Sequence, residues 1–182
     1  MAILTTLLEE CMQRRRLIKL GAGSILGLSV ARLSWAEVSA AANLRIIATT
    51  DVHSFLTDFD YYRNETTDKF GFTRAATLIA KAREEVVNSV LVDNGDLIQG
   101  NPIADYQAAV GHEKGEPHPA VMALNAMNYD VGGLGNHEFN YGLDYLDTAT
   151  SQAKFPIINT NVMRADTGEP RYQPFWIEKK CC

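Results

Sequence analysis

Four short runs of branched and apolar residues, LRIIATT at 44–50, SVLVD at 89–93, DVGGL at 130–134 and FPIIN at 155–159, recur along the chain with helical patterns between them. Strand-type runs that alternate with helices predict the order βαβαβαβ and an α/β fold. The first intervening pattern, 71–88, puts Phe72, Ala75, Ala76, Ile79, Ala82 and Val86 at helical spacing with charges on the other side. One stripe can then pack on the sheet while the rest stays in water. The second pattern, 118–129, opens near Pro119, where a helix tolerates proline, and the third covers 143–153. No repeat and no low-complexity linker interrupts the series.

Each run ends in a polar cluster: TTDVHS at 49–54, DNGDLIQG at 93–100, GNHEFN at 135–140 and NTNV at 159–162. Loops at the carboxyl ends of strands in an α/β sheet share one rim, the usual place for a ligand, so these clusters are expected to converge. Asp51 and His53 lie two apart, and extended backbone would turn both to one side, offering one ion a hard oxygen and an imidazole nitrogen. Asp96, after Gly95, has two carboxylate oxygens that can each face a different cation, and Asn136 offers a carbonyl oxygen to the second ion. This donor mixture suits Mn, Fe, Zn or Co, and fits neither a cysteine zinc site nor an all-oxygen calcium loop. Each motif has a bland alternative: Asp51 as a turn cap, His53 as an ordinary surface or core histidine, Asn94-Gly95-Asp96 as a turn. Separate turns have no reason to set ligand types on one rim, so the joint reading prevails. His112 and His118, in GHEKGEPHP, read as solvated loop histidines.

With 182 residues, 46% hydrophobic and 21% charged, the chain has the balance of one globular domain. A net charge of -5 argues against binding to nucleic-acid polymers or anionic membrane surfaces, which depends on an excess of Lys and Arg. The cysteines, Cys11, Cys181 and Cys182, form no spaced framework. Residues 1–42 have the layout of a signal peptide: Arg14, Arg15 and Arg16, an apolar stretch at 20–31, then small residues. Bounded by Lys19 and Arg32, that stretch falls short of the ~20 apolar residues that span a bilayer, so cleavage and release are expected rather than a stable membrane anchor. The expected cleavage site follows Ala36 or Ala42. The string Arg14-Arg15-Arg16-Leu17-Ile18-Lys19 resembles the twin-arginine export signal, which names the export machinery as a partner and makes Met12, just before it, a natural initiator.

The stretches DVH, GDLIQG and GNHEFNYG resemble the successive motifs of the calcineurin-like metallophosphoesterases. DFDYY, KFGFTRAATLI, NSVLVDNGDLIQGNPIADY and LGNHEFNYGLDYL resemble one branch of them, the periplasmic 2',3'-cyclic-nucleotide phosphodiesterases that are also 3'-nucleotidases. The likeness runs from Leu44 to Glu178. It implies an α/β fold in which 43–182 is the first, truncated half of a four-layer α/β/β/α sandwich. It also implies two divalent metal ions (Mn, Co, Zn or Fe), a nucleotide substrate, a periplasmic location, and hydrolysis by a metal-activated hydroxide. Carried over residue by residue, Asp51 and His53 bind the first metal, Asp96 bridges, Asn136 binds the second, and His137 is catalytic, facing the phosphate. Glu138 and Asn140 then orient these groups without binding metal. Related 5'-nucleotidases resemble NHEFD, with an aspartate where this chain has Asn140; an amide can accept a hydrogen bond from imidazole but cannot stabilise its cation by charge. That asparagine is usual in the cyclic-phosphodiesterase branch. The resemblance further implies metal-binding histidines and a nucleoside-binding domain beyond FWIEKK, so the alternative expectation is a non-catalytic remnant or a weak metal-binding fragment.

Overall fold

The computed structural model describes residues 43–179; the expected signal segment at 1–42 and the cysteines lie outside the described residues. In chain order come β1 (Arg45–Thr49), β2 (Phe59–Asp60), β3 (Glu65–Thr66), α1 (Phe72–Glu84), β4 (Ser89–Asp93), α2 (Pro102–Tyr106), α3 (Pro119–Ala126), β5 (Val131–Gly132) and α4 (Leu143–Ser151). A π-helical turn, Gln107–Gly111, continues α2, and a 3-10 turn, His137–Phe139, precedes α4. The main sheet has the order β1-β4-β5 and is parallel throughout, with Ile47 opposite Leu91, Thr49 opposite Asp93 and Val92 opposite Val131. All three strands therefore end on one edge, and the loops carrying the polar clusters leave from it.

The core joins the sheet to its helices. Leu91 of β4, Phe72 and Ile79 of α1, Val121 and Leu124 of α3, and Tyr145, Leu146 and Ala149 of α4 belong to one buried cluster. Leu91 and Leu146 are fully enclosed, and burying a leucine of this kind contributes about 2 kcal/mol. The stripe expected on 71–88 is the stripe that packs: Phe72 and Ile79 are buried, and Ala75, Ala76, Ala82 and Val86 are half-buried. On β1 the alternation leaves Ile47 half-buried and Ile46 69% exposed, so the second face of the sheet stays open among the described residues.

Two expectations about the elements need correction. DVGGL yields only the two residues of β5: Gly133 still gives its N–H to the Asp93 carbonyl at 2.7 Å, but the glycines bring no side chain to pack and weaken the strand. FPIIN is not a regular strand: it makes isolated parallel bridges, Gly132 with Ile157 and Ile158 with Gln173, and Pro156 has no N–H to give to a ladder. The segment after Asn101 is helical. Asn101 caps α2, its Oδ1 accepting the N–H of Ile103 at 2.8 Å and of Ala104 at 3.4 Å, and Pro102 opens the first turn.

His118 is also unlike its expectation as a solvated loop residue. It is 1% exposed, because Pro119 starts α3 and leaves His118 at the cap. Its Nδ1 accepts the Ala120 N–H at 3.2 Å, its Nε2 stands 3.3 Å from the Ile98 carbonyl, and its ring meets Tyr145 edge-on. His112 is half-buried, with its ring 5.1 Å from that of Tyr145. No helix among the described residues is long and apolar enough to cross a membrane.

Candidate metal centre

Beyond the strand ends the loops stay paired, which is what fixes the site. Asn94 N–H reaches the Thr49 carbonyl at 2.8 Å, Asp51 N–H the Gly95 carbonyl at 3.0 Å, His53 N–H the Asp96 carbonyl at 2.9 Å, and Ser54 N–H the Leu97 carbonyl at 2.9 Å. The extended geometry expected for the Asp51 and His53 pair is not what carries them. Asp51, His53 and Ser54 all have positive φ, at 55°, 49° and 55°, and Asp96 matches them at 55°. Residues with side chains adopt this region at a cost, and its concentration at Asp51, His53 and Asp96 is a backbone signature of a functional site. The third loop closes in from the other side. A Cβ on Gly95 would lie 2.1 Å from the Gly135 nitrogen, and one on Gly135 would lie 2.2 Å from Asp96 Oδ1, so both glycines are needed for the approach.

The outcome is a cluster of donors. One ring nitrogen of His53, one of His137 and a carboxylate oxygen of Asp96 all lie within 4.8 Å of one another, and all three residues are half-buried. Each imidazole has its other nitrogen occupied. His53 Nδ1 donates to the Gln99 carbonyl at 2.7 Å, which leaves Nε2 as a bare electron pair. Gly100, at φ 139°, makes room for that ring, since a Cβ there would come within 2.7 Å of it. His137 Nδ1 stands 2.9 Å from Asn140 Nδ2. The carboxamide can present either its N–H or, turned over, its oxygen, so Asn140 satisfies either tautomer of His137. The two histidine rings meet edge to face at 5.0 Å.

Asp96 Oδ1 accepts the His137 backbone N–H at 2.8 Å, and its second oxygen takes no hydrogen bond among the described residues. Asp51 is more exposed; it accepts from the Thr50 hydroxyl, and its Oδ1 lies 3.8 Å from His53 Nε2. Asn136 is exposed where the 3-10 turn begins, and its side chain makes no hydrogen bond among the described residues. Glu138 points inward, is 2% exposed, and bonds only to main-chain N–H groups. The structure thus groups His53, Asp96 and His137 most tightly, with Asp51 beside His53 and Asn136 next in the chain to His137.

Asp93 is the last residue of β4. It is 4% exposed, and burial pushes its carboxyl up to about 6, against the hydrogen bond from Thr49 that holds it down. Thr49 Oγ1 bonds Asp93 Oδ2 at 2.6 Å and also the Tyr129 hydroxyl at 2.8 Å, while Asp93 Oδ1 accepts the Gly95 N–H at 3.0 Å. Asp93 therefore pins the turn that presents Asp96. A polar residue inside an apolar strand run was the available signal.

Two histidine nitrogens and a carboxylate, each fixed from behind, form a donor set suited to a divalent transition ion. The sequence model for calcineurin-like phosphoesterases matches residues 44–172. Over 169 residues the chain is 64% identical to the 2',3'-cyclic-nucleotide 2'-phosphodiesterase/3'-nucleotidase of Haemophilus influenzae, covering 93% of this chain and 26% of that protein. It is 55% identical over 151 residues to the protein of the same name from Salmonella typhimurium, covering 82% of this chain and 23% of that one. Among solved structures, the calcineurin-like phosphoesterase YfkN from Bacillus subtilis superposes with a TM-score of 0.72 at 50% identity, over 75% of this chain and 42% of that chain. A putative 5'-nucleotidase from Staphylococcus aureus gives 0.63 at 32% identity, over 72% and 25%. The chain thus spans about a quarter of the length of these curated relatives.

Proposed function

The chain belongs to the calcineurin-like phosphoesterase family, and from that premise we propose that it is part of an exported, periplasmic hydrolase that opens 2',3'-cyclic nucleotides and then releases phosphate from 3'-nucleotides. The observation that carries the proposal is the convergence of His53, Asp96 and His137 within 4.8 Å at the carboxyl edge of a parallel sheet. Support for the substrate class is the 64% identity to a relative of that name; support for export is the basic and apolar order of residues 14–31.

Divalent ions, when bound, supply Lewis acidity toward phosphoryl oxygens and a nucleophile from water at neutral pH. His53 offers Nε2 to the first ion because Nδ1 is committed to Gln99, and Asp51 adds an oxygen beside it. Asp96 would offer its carboxylate to the ions, one of its oxygens already being steadied by the His137 N–H. Asn136 offers its carbonyl oxygen to the second ion. His137, backed by Asn140, holds a proton at Nε2 for the departing oxygen. In the first reaction water oxygen bonds phosphorus, the bond from phosphorus to O2' breaks, and O2' takes a proton. In the second a further water oxygen bonds phosphorus, the bond to O3' breaks and O3' takes a proton, giving nucleoside and inorganic phosphate. The grouping of His137 with His53 and Asp96 also admits His137 as a metal ligand, and a test has to separate the two roles.

The full chain, supplied with Mn, Co or Zn, is assayed for opening of 2',3'-cyclic AMP and for phosphate release from 3'-AMP, beside Asp96→Ala and His137→Ala. Asp96→Ala is expected to lose both bound metal and turnover, whereas His137→Ala keeps its metal and loses turnover by about 100-fold or more. Equal metal loss in the two variants would move His137 into the ligand set. A wild-type chain that takes up no metal would overturn the reading.

A further inference from the structure

Glu138 carries a carboxylate into an enclosed place without a cation to meet it. It is 2% exposed, and no ion pair among the described residues includes it. Its partners are main-chain N–H groups instead. Oε2 accepts from Gly135 at 2.6 Å and from Asp96 at 2.7 Å; Oε1 accepts from Leu97 at 2.6 Å and from Ile98 at 3.3 Å. These bonds match the acceptor capacity of a carboxylate, about four lone-pair sites. The left-handed turn at Asp96, φ 55°, aims successive N–H groups at one point and makes the concavity an anion fills.

The donors come from two loops. Asp96, Leu97 and Ile98 follow β4, whereas Gly135 precedes Asn136 and His137 after β5. We infer that Glu138 is a positioning residue which locks the Asp96 loop to the loop of Asn136 and His137, so that the donor set is assembled by the protein before any ion arrives. This rests on the phosphoesterase reading in one respect, that Asp96, His53 and His137 face a metal. Two other features serve the same registration: the contact of Gly95 with Gly135, and the bond from His137 N–H to Asp96 Oδ1. Neither holds several donors at once: the first is an approach of two glycines, and Asp96 Oδ1 takes a single N–H across the loops. In Glu138→Gln the side chain keeps its shape, but in either orientation an NH2 group confronts two N–H donors, and the loops lose half of the clamp.

The test uses the metal-free full chain, titrated with Co2+ and followed by its visible absorption, alongside thermal melting. Glu138→Gln is expected to bind Co2+ about 10-fold to 100-fold more weakly than wild type, the range found when partners behind metal ligands are removed. A lowered melting temperature with unchanged Co2+ affinity of the folded protein would make Glu138 an ordinary structural residue and overturn the inference. Hydrogen exchange of the metal-free wild type supplies a measurement that needs no variant: the amides of Asp96, Leu97 and Gly135 should exchange slowly. Exchange at the rate of free loop amides would overturn the inference even if Glu138→Gln does not fold. Absence of Co2+ binding by the wild type, with those amides protected, would instead count against the metal reading and leave the clamp in place.

Discussion

His118 and Asp93 are buried titratable groups whose burial works in opposite directions on one pH interval. Burial lowers His118 to about 4 from 6.5, because the imidazolium would lose water. A depressed histidine contributes stability that is present above pH 6.5 and is lost as pH falls toward 4, on the order of 3 kcal/mol for a shift of this size. Asp93, raised from 3.8 to about 6 by burial, contributes stability present below pH 3.8 and lost as pH rises through 6. Between about pH 4 and 6 the two slopes oppose, so the stability of the metal-free wild type should change little there. His118→Gln is expected to unmask a fall in stability with rising pH, and Asp93→Asn a rise. Urea unfolding at several pH values measures both; equal slopes in the two variants would show that burial does not govern these groups. Neither effect was legible in the sequence. His53 and Asp96 could be read as donors because ligand types followed strand ends, and His137 only through the resemblance of its motif, as a group facing the phosphate, whereas the burial of His118, the enclosure of Asp93 and the N–H groups around Glu138 depend on chain segments about 20 to 40 residues away.

At the scale of elements, helix α1 could be read because its apolar stripe repeats with helical spacing and packs where expected. The short strands were harder: β5 ends at glycines, and the run after Phe155 contains Pro156, so apolar composition overstated their pairing. One side chain joins several of these elements. Arg83, near the end of α1, donates to the carbonyls of Met127 at 2.9 Å and Asn128 at 3.0 Å, just after α3, and to Asp130 Oδ2 at 2.8 Å, just before β5. Asp130 in turn accepts the Leu91 N–H of β4 at 2.8 Å. A guanidinium spans these acceptors because its N–H groups are fixed in a plane, and an ammonium offers one point instead. Arg83→Lys should therefore cost about 1–2 kcal/mol, seen as a lower denaturation midpoint with an unchanged slope against urea. A midpoint equal to wild type would mean that the ion pair with Asp130 alone matters.

Across the whole molecule, all the described helices that join the buried cluster, α1, α3 and α4, meet the face of the sheet that carries Leu91. Among the described residues the other face is open. Ile46 is 69% exposed and Leu44 54%, while their neighbour Val90 across the parallel register is half-buried. Apolar surface gathered on a flat, pleated face drives association more than the same area scattered singly, because a second apolar surface can remove it from water all at once. The 182-residue chain in isolation is therefore expected to self-associate at micromolar concentration through this face. Ile46→Lys puts a charge at its centre without touching the helix-covered core, so it should shift the population toward monomer while circular dichroism stays unchanged. Light scattering across a dilution series measures it. If the wild type were monomeric throughout, or if Ile46→Lys associated as strongly, the open face would not be what holds the copies together.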